Sequence, residues 1–459
     1  MAVYPPAPSG IGATLRPRFN KKYVYLLSTV AALGGALFGF DLVIISGTVA
    51  YFTENFSLNE YEIGWAVGCI NIGAAVGAVV SGRLSETVGR KRLLMFCAGV
   101  FAITGAGTGW ATTFPFFIVC RILSGLAVGA AALVCPIYVA EISPAPMRGR
   151  MVSFYQLSIV VGILLAYGSN YLLLESGPNN WRWMFTSQSA PALFFLMGLF
   201  LVSESPRWLI ANGREMEARI TLERIGGLSH ALSEEQHIAS SFEKKVTMHM
   251  GELFHKDIRH VVIMGIIIAV FSQAVGQNSI FSYAPELFKQ AGMGEQTAFL
   301  QSITIGLLNF AFTFVAITTI DRIGRKFLLK LGSFLLFADA MALSAAFQMH
   351  WSSSWILGLV LGFIAIYSAT IGPVTWVILS EIFPNRIRGS AMAAATLALW
   401  VANFFTTSLF PVMNQHYGLG ITFFIHAVIC LAYFIFVTTN VPETKGKSLE
   451  EIEKVVTQT

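Results

Sequence analysis

Apolar residues in this sequence come in unbroken runs long enough to cross a lipid bilayer, and no other feature narrows the possible folds as much. Twelve such runs lie near residues 24–51, 62–84, 93–112, 115–141, 151–174, 185–203, 260–288, 297–320, 327–348, 353–381, 390–413 and 419–440. A spanning helix needs about 20 apolar residues. The runs are continuous rather than alternating, which excludes a membrane β-barrel. Charged residues make up 12% of the chain and hydrophobic ones 55%, about half the charge of a soluble domain. A soluble fold could not hide so much apolar surface. The expected class is an all-α membrane protein with twelve transmembrane helices.

Charge then fixes the sides. The basic residues of the N-terminus, Arg83 to Arg92, Arg148 with Arg150, the long middle segment, Arg322 to Lys330, Arg386 with Arg388, and Lys445 with Lys447 all fall on one side. The opposite loops carry Glu54, Glu60, Glu62, Glu175, Glu286 and Glu295, against only Arg182 and Lys289. The positive-inside rule puts both termini in the cytoplasm, as an even number of crossings requires. Residues 1–22 read as a Pro-rich, then basic, tail without a secretory signal. The five cysteines (Cys69, Cys97, Cys120, Cys135 and Cys430) sit inside apolar runs, odd in number and unpaired in spacing. Neither a disulfide framework nor a metal site is expected from them.

The segment from Ser205 to Lys256 is too charged to span and reads as cytoplasmic amphipathic helices. One runs from Arg214 to Ile225; the next is expected to start at the capping box Ser233-Glu234-Glu235-Gln236. Around it the chain repeats itself. Glu141, Pro144 and Arg148-Gly149 recur 240 residues later as Glu381, Pro384 and Arg388-Gly389. Gly89-Arg90-Lys91 returns 235 residues on as Gly324-Arg325-Lys326, and Glu204 has its counterpart 239 residues on at Glu443. Motifs in one order at nearly one offset mean two parallel six-helix halves of the same design. The expected division is a tail at 1–22, a half at 23–204, a cytoplasmic helical linker at 205–258, a second half at 259–441 and a tail at 442–459.

On these residues the chain resembles the sugar-porter family of the major facilitator superfamily. The resemblance rests on Gly82-Arg83-Leu84 with Gly89-Arg90-Lys91-Arg92, Glu204-Ser205-Pro206-Arg207-Trp208, Asp321-Arg322-Ile323-Gly324-Arg325-Lys326 and Pro442-Glu443-Thr444-Lys445-Gly446. Within the family it looks most like proton-coupled sugar symporters such as bacterial xylose permeases. That implies a twelve-helix rocker with one central sugar site, expected to act as a monomer in a cell membrane, with sugar and protons as its small partners.

Two charges inside the membrane demand an account. An aspartate at mid-span costs about 2.5–3.5 kcal/mol, so Asp41 in the first span needs a partner or a proton. Arg121 in the fourth span is the obvious partner, and it cannot give up its own proton. A carboxylate beside a guanidinium stays ionised, whereas one left alone in apolar surroundings takes up a proton. Rocking that makes and breaks the pair would move one proton per cycle. The other reading is a static ion pair that fixes the first span on the fourth. The resemblance favours coupling, because proton symporters of the family carry Asp at this place. A second acid found in some symporters is Gln188 here. Asp339 and His426 are further intramembrane ionisable groups that no motif covers.

A sugar presents hydroxyls and apolar C–H faces, which amides and aromatic rings suit without the desolvation cost of a charge. The candidates are Gln156, Gln273, Gln277, Asn278, Asn309 and Asn403, with Phe38, Trp376 and Trp400 as walls. Hydrogen bonding between helices is the alternative for each amide. Gln273 and Gln277 share a helix face, whereas Asn278 stands about 140° from Gln273 on an unbroken helix. Gly276 and Pro285 make a break there plausible, and Gly372-Pro373 suggests the same in the tenth span. By resemblance Phe38, Gln156, Gln273, Asn278, Asn309 and Trp376 fall on sugar-contact positions, while Trp400 and Asn403 match positions that line the cavity. The chain departs from the family at Ser272, Ser282 and Leu399, where a second amide, a tyrosine and another amide are usual.

The cytoplasmic Arg90, Glu141, Arg148, Glu204, Asp321, Arg325, Glu381 and Arg388 are expected to form inter-helix ion pairs that close the inner side and break as it opens. Small-residue pairs (Gly35 with Gly39, Gly73 with Gly77, Gly125 with Gly129) let helices approach closely. Neither a nucleotide-binding glycine loop nor a metal-ligand cluster occurs in the sequence, so no cofactor, metal, nucleic acid or enzymatic turnover is expected. A facilitative uniporter, a nutrient-sensing receptor on the same fold and an organic-ion exporter are the rival readings.

Overall fold

A computed structural model describes residues 19–243, 258–384, 387–445 and 451, without the side chains of residues 241–243 and 321. Most of the two predicted tails, the end of the middle segment and Arg386 lie outside the described residues. Among the described residues the chain is helical with no strands, and ten helices are long and apolar enough to cross a membrane. One of them, Arg388–Asn440, has 53 residues and would be about 80 Å long at 1.5 Å per residue. It turns back at Gly418, whose φ is 76°, and is two crossings, the eleventh and twelfth. The sixth crossing runs as Asn180–Ser187 and Ser189–Phe200, joined by Gln188, which keeps a helical φ of −59° and ψ of −29°. The crossings therefore number twelve, as the sequence predicts.

The first five spans are Lys21–Ile44, Glu60–Val88, Arg90–Gly109, Phe114–Ile142 and Arg148–Leu173. After the sixth come Arg259–Ala274 with Gln277–Gln290 as the seventh, Glu295–Ile323 as the eighth and Arg325–Gln348 as the ninth. Ser353–Ala369 with Ile371–Ile382 make the tenth. In lipid, helices gain little from burying apolar side chains, so close backbone approach has to hold them together. Glycines provide it. A Cβ at Gly125 or Gly129 would fall on the carbonyls of Ile70 or Ala74 in the second span, and one at Gly73 or Gly77 on those of Ile122 or Leu126 in the fourth. Gly39 and Gly162 lock the first span to the fifth in the same reciprocal way. Large apolar side chains such as Ile103, Phe96, Leu172 and Phe194 stay exposed around the bundle, as lipid-facing residues do. Exposed Trp110, Trp183, Trp351 and Trp355 stand at span ends, the usual depth for interfacial aromatics.

The middle segment differs from its sequence reading in one respect. After Pro206–Ala211, helix Glu215–Glu243 is interrupted at Gly227 (φ 80°) and not at Ser233. The glycine adopts the left-handed conformation at little cost, and the helix resumes early enough for Ala231 to be buried. Ser233 is then an interior residue and caps nothing. The chain just before the first span packs on this helix: Asn20 N–H donates to the Ile225 carbonyl at 2.8 Å, and Phe19 meets His230 edge-on at 5.2 Å. Burial there lowers the pKa of the His230 imidazole.

The two halves meet along the outer side. Asn403 Nδ2 donates to Asn71 Oδ1 at 2.7 Å, Tyr167 Oη to the Phe281 carbonyl at 3.0 Å, Tyr51 Oη to Glu295 at 3.0 Å and Gln296 to Glu175 at 3.1 Å. Gly64 and Gly68 of the second span pack against Ser408 of the eleventh. Asn71 lies near the middle of its span and the other contacts lie toward the end away from the termini, so the halves are closed on that side.

Prolines shape this closed side. A proline at position i frees the carbonyl of residue i−4. Pro285 frees Phe281, which accepts from Tyr167, and Pro411 frees Thr407, which accepts from Tyr283 Oη at 3.0 Å. Both freed carbonyls are thus capped by a tyrosine from another span.

Candidate functional site

The Asp41–Arg121 ion pair is formed. Arg121 Nη1 lies 2.7 Å from Asp41 Oδ1, and Ser124 Oγ donates to Asp41 Oδ2 at 2.6 Å. Asp41 is fully buried and Arg121 is 1% exposed, so the charges are taken out of water together, which pairing alone makes tolerable. Ser124 and Arg121 are three apart on the fourth span and present to the same side. Gln188 in the sixth span donates to Ser124 Oγ at 3.2 Å. The guanidinium also lies over the Phe185 ring, 5.7 Å from its centre. Ser124 was not legible as a partner; its one sequence signal is the i+3 spacing from Arg121.

A chain of amides runs across the centre of the molecule. Asn278 Nδ2 donates to Gln273 Oε1 at 2.7 Å and to Asn403 Oδ1 at 2.9 Å, and Asn403 passes on to Asn71. The seventh span breaks at Gly276, whose φ of 99° only glycine adopts readily. That break turns Asn278 toward Gln273. It also separates Gln277 from Gln273: Gln277 is 2% exposed, and neither of its amide atoms has a partner. The face shared by Gln273 and Gln277 on an ideal helix is therefore absent, and Gln277 stays out of the amide chain. His426 lies against Gly276, with Nδ1 donating to the Ala274 carbonyl at 3.1 Å. That carbonyl is one the break deprives of its helical donor, and His426 Nε2 is buried without a partner.

The tenth span breaks at Thr370 (φ −129°, ψ −85°) rather than at Gly372-Pro373. The reason is again positional, because Pro373 removes the hydrogen bond to Ala369 and its ring crowds that carbonyl. Downstream of the break Trp376 stands 40% exposed. Upstream of it, Ser368 donates to Asn309 Oδ1 at 2.7 Å, tying the buried Asn309 to the tenth span. Phe38 and Trp400 meet edge to face across the halves, 5.7 Å apart. Gln156 is half-buried in the fifth span. Asp339 is half-buried beside Gly362, and its Oδ2 has no partner.

On the inner side the repeated motifs build two copies of one cluster. Arg90 pairs with Glu141 at 3.0 Å, while Glu204 accepts from the backbone N–H groups of Arg90 and Lys91. In the second half Arg325 pairs with Glu381 at 3.0 Å, and Glu443 accepts from the N–H groups of Arg325 and Lys445. Gly89 and Gly324, both at φ 106°, begin the respective helices beside those carboxylates. Ser205 donates to Glu141 and Thr444 to Glu381. Among the described residues these pairs stay within one half. Arg148 is exposed, Arg388 donates from Nε to the Phe383 carbonyl at 3.2 Å, and the Asp321 side chain lies outside the described residues.

Comparison with known proteins agrees with this architecture. The family model described as sugar (and other) transporter matches residues 27–456. The arabinose-proton symporter of Bacillus subtilis strain 168 is 37% identical over 94% of this chain and 95% of its own. The D-xylose-proton symporter of Escherichia coli strain K12 is 36% identical over 96% and 97%. The inward-open structure of the xylose transporter XylE from E. coli superposes with a TM-score of 0.85 at 35% identity, covering 94% of this chain and all of that one. Matched nearly end to end in sequence and fold, this chain belongs to the sugar (and other) transporter family.

Proposed function

We propose that this chain takes up a monosaccharide or polyol together with a proton, by alternating access around a central site. It works as a monomer in a cell membrane with both termini in the cytoplasm. The observation that carries the reading is the placement of Asp41 one helical turn from Phe38. Asp41 is ion-paired to Arg121, while Phe38 reaches across to Trp400 of the other half. A movement of the first span that sugar binding requires therefore also works on the pair that holds or releases the proton. The amides of Gln273, Asn278, Asn309 and Asn403 supply the hydroxyl-binding groups, with Gln156 and Trp376 completing the site. The paired clusters at Arg90–Glu141–Glu204 and Arg325–Glu381–Glu443 brace each half so that it moves as one body. With Arg148, Asp321 and Arg388 they close the inner side when the halves come together. Proton symport by the two relatives supports the coupling.

The test is uptake of labelled D-xylose, L-arabinose, D-glucose and myo-inositol into proteoliposomes with an imposed proton gradient. At least one of them accumulates above its outside concentration, and a protonophore abolishes the accumulation. Saturable entry that only equilibrates would make the chain a uniporter and leave Asp41–Arg121 a structural pair.

A further inference from the structure

The closed outer side keeps a cavity of about 240 Å³ that the central site does not use. Its walls come from both halves: Thr53 and Glu60 from the first, Tyr283, Glu286, Phe410 and Asn414 from the second. The floor is the stacked pair Tyr283–Phe410, 5.1 Å between ring centres, with both rings almost fully buried. Tyr283 spends its hydroxyl on the Thr407 carbonyl, so at 3% exposure it gives the cavity only a narrow apolar patch. Around that floor stand two carboxylates and several amides. Glu286 accepts from Gln290 at 3.0 Å. Among the described residues Asn414 and Gln415 have no side-chain hydrogen bond, and Thr53 Oγ1 is buried without a partner. The space is well above that of one water, whose share of liquid volume is about 30 Å³.

An aromatic floor, acceptor carboxylates and uncommitted amides suit a neutral, polyhydroxylated ring. A metal ion fits poorly, because no group of three or more metal-binding side chains occurs among the described residues. We infer that this cavity is a second sugar site on the outer face, distinct from the central one, that exists only while the outer side is closed. The inference rests on the sugar-transport reading above. Because its walls belong to opposite halves, opening the outer side pulls the site apart. A sugar held there favours the closed arrangement by its difference in affinity between the two states, and so slows the return of the transporter to the outward-open state. Outside sugar would thus inhibit its own uptake when abundant.

The experiment is initial-rate uptake of D-xylose into cells expressing the full chain, from below half-saturation to far above it. If D-xylose is not taken up, the accumulating sugar of the panel replaces it. The expected curve rises, peaks and then falls by about twofold or more at the highest concentrations, since bound ligand shifts the equilibrium by mass action. Glu286→Gln combined with Asn414→Ala removes the fall and leaves the rising phase in place; Glu60→Gln alone weakens the fall. A plain saturating curve in the unaltered chain, or a fall unchanged in both variants, would overturn the second site while leaving transport established. Absence of any saturable uptake would instead strike at the transport reading, and the second site would fall with it.

Discussion

Asp41→Asn keeps sugar exchange and loses accumulation. Asparagine occupies nearly the same volume and still offers an oxygen to Arg121 and Ser124, which hold the carboxylate at 2.7 and 2.6 Å. It cannot carry the proton. At a membrane potential of about 100 mV one co-transported proton contributes about 2.3 kcal/mol, enough for roughly fifty-fold accumulation. The variant should bring the inside concentration only to the outside one, while counterflow of labelled against unlabelled sugar continues. Removing the negative partner also leaves the Arg121 charge buried with less compensation, for which about 3–5 kcal/mol is typical when a buried pair is broken. Folded yield by size-exclusion chromatography therefore has to accompany the transport assay. A variant that folds and still accumulates sugar would remove Asp41 from the coupling.

Asn278→Ala has the second large effect, and it falls on sugar affinity. Its Nδ2 is the only described link between Gln273 and Asn403, so truncation leaves two buried acceptors without their donor as well as taking one amide from the ligand. The orphaned acceptors weaken the fold, whereas the sugar's own lost hydrogen bond to this amide costs about 1–3 kcal/mol of binding. The half-saturation constant should therefore rise about ten- to a hundredfold, with the maximal rate less affected. Gln277→Leu is the control. It lies one residue away, is buried, and has no partner on either amide atom, so its replacement should leave the half-saturation constant unchanged. If both variants behave alike, the break at Gly276 does not sort these amides as described.

These predictions draw unequally on the sequence. Twelve apolar runs and three repeated motifs carried the architecture, because a helix in lipid must be long and apolar and a duplicated half must repeat its corner residues. Asp41 and Arg121 were legible as partners because opposite charges in mid-membrane have few others to meet. The sequence suggested breaks near Gly276 and Gly372-Pro373, but not which side chains each break brings together. Asn278 joins Gln273 only because Gly276 takes a positive φ, and the tenth span bends at Thr370 because Pro373 acts four residues back. Asn71 went unnoticed in a small-residue stretch of the second span, although an amide there has no reason to exist without a partner across the seam. The inner residues are expected to pair between helices, and Arg90–Glu141 and Arg325–Glu381 do so, each within its own half. The duplication itself held that signal, since each half carries a complete arginine–glutamate–glutamate set, with Glu443 as the member missing from the expected group.

The most direct measurement is proton movement caused by sugar alone. Sugar is added to de-energised cells or proteoliposomes in weakly buffered medium, and outside pH is recorded with no gradient imposed. Coupled uptake predicts that the medium turns alkaline as sugar enters, and that Asp41→Asn abolishes the signal without stopping entry. Sugar entry with no change in pH from the unaltered chain would contradict proton symport.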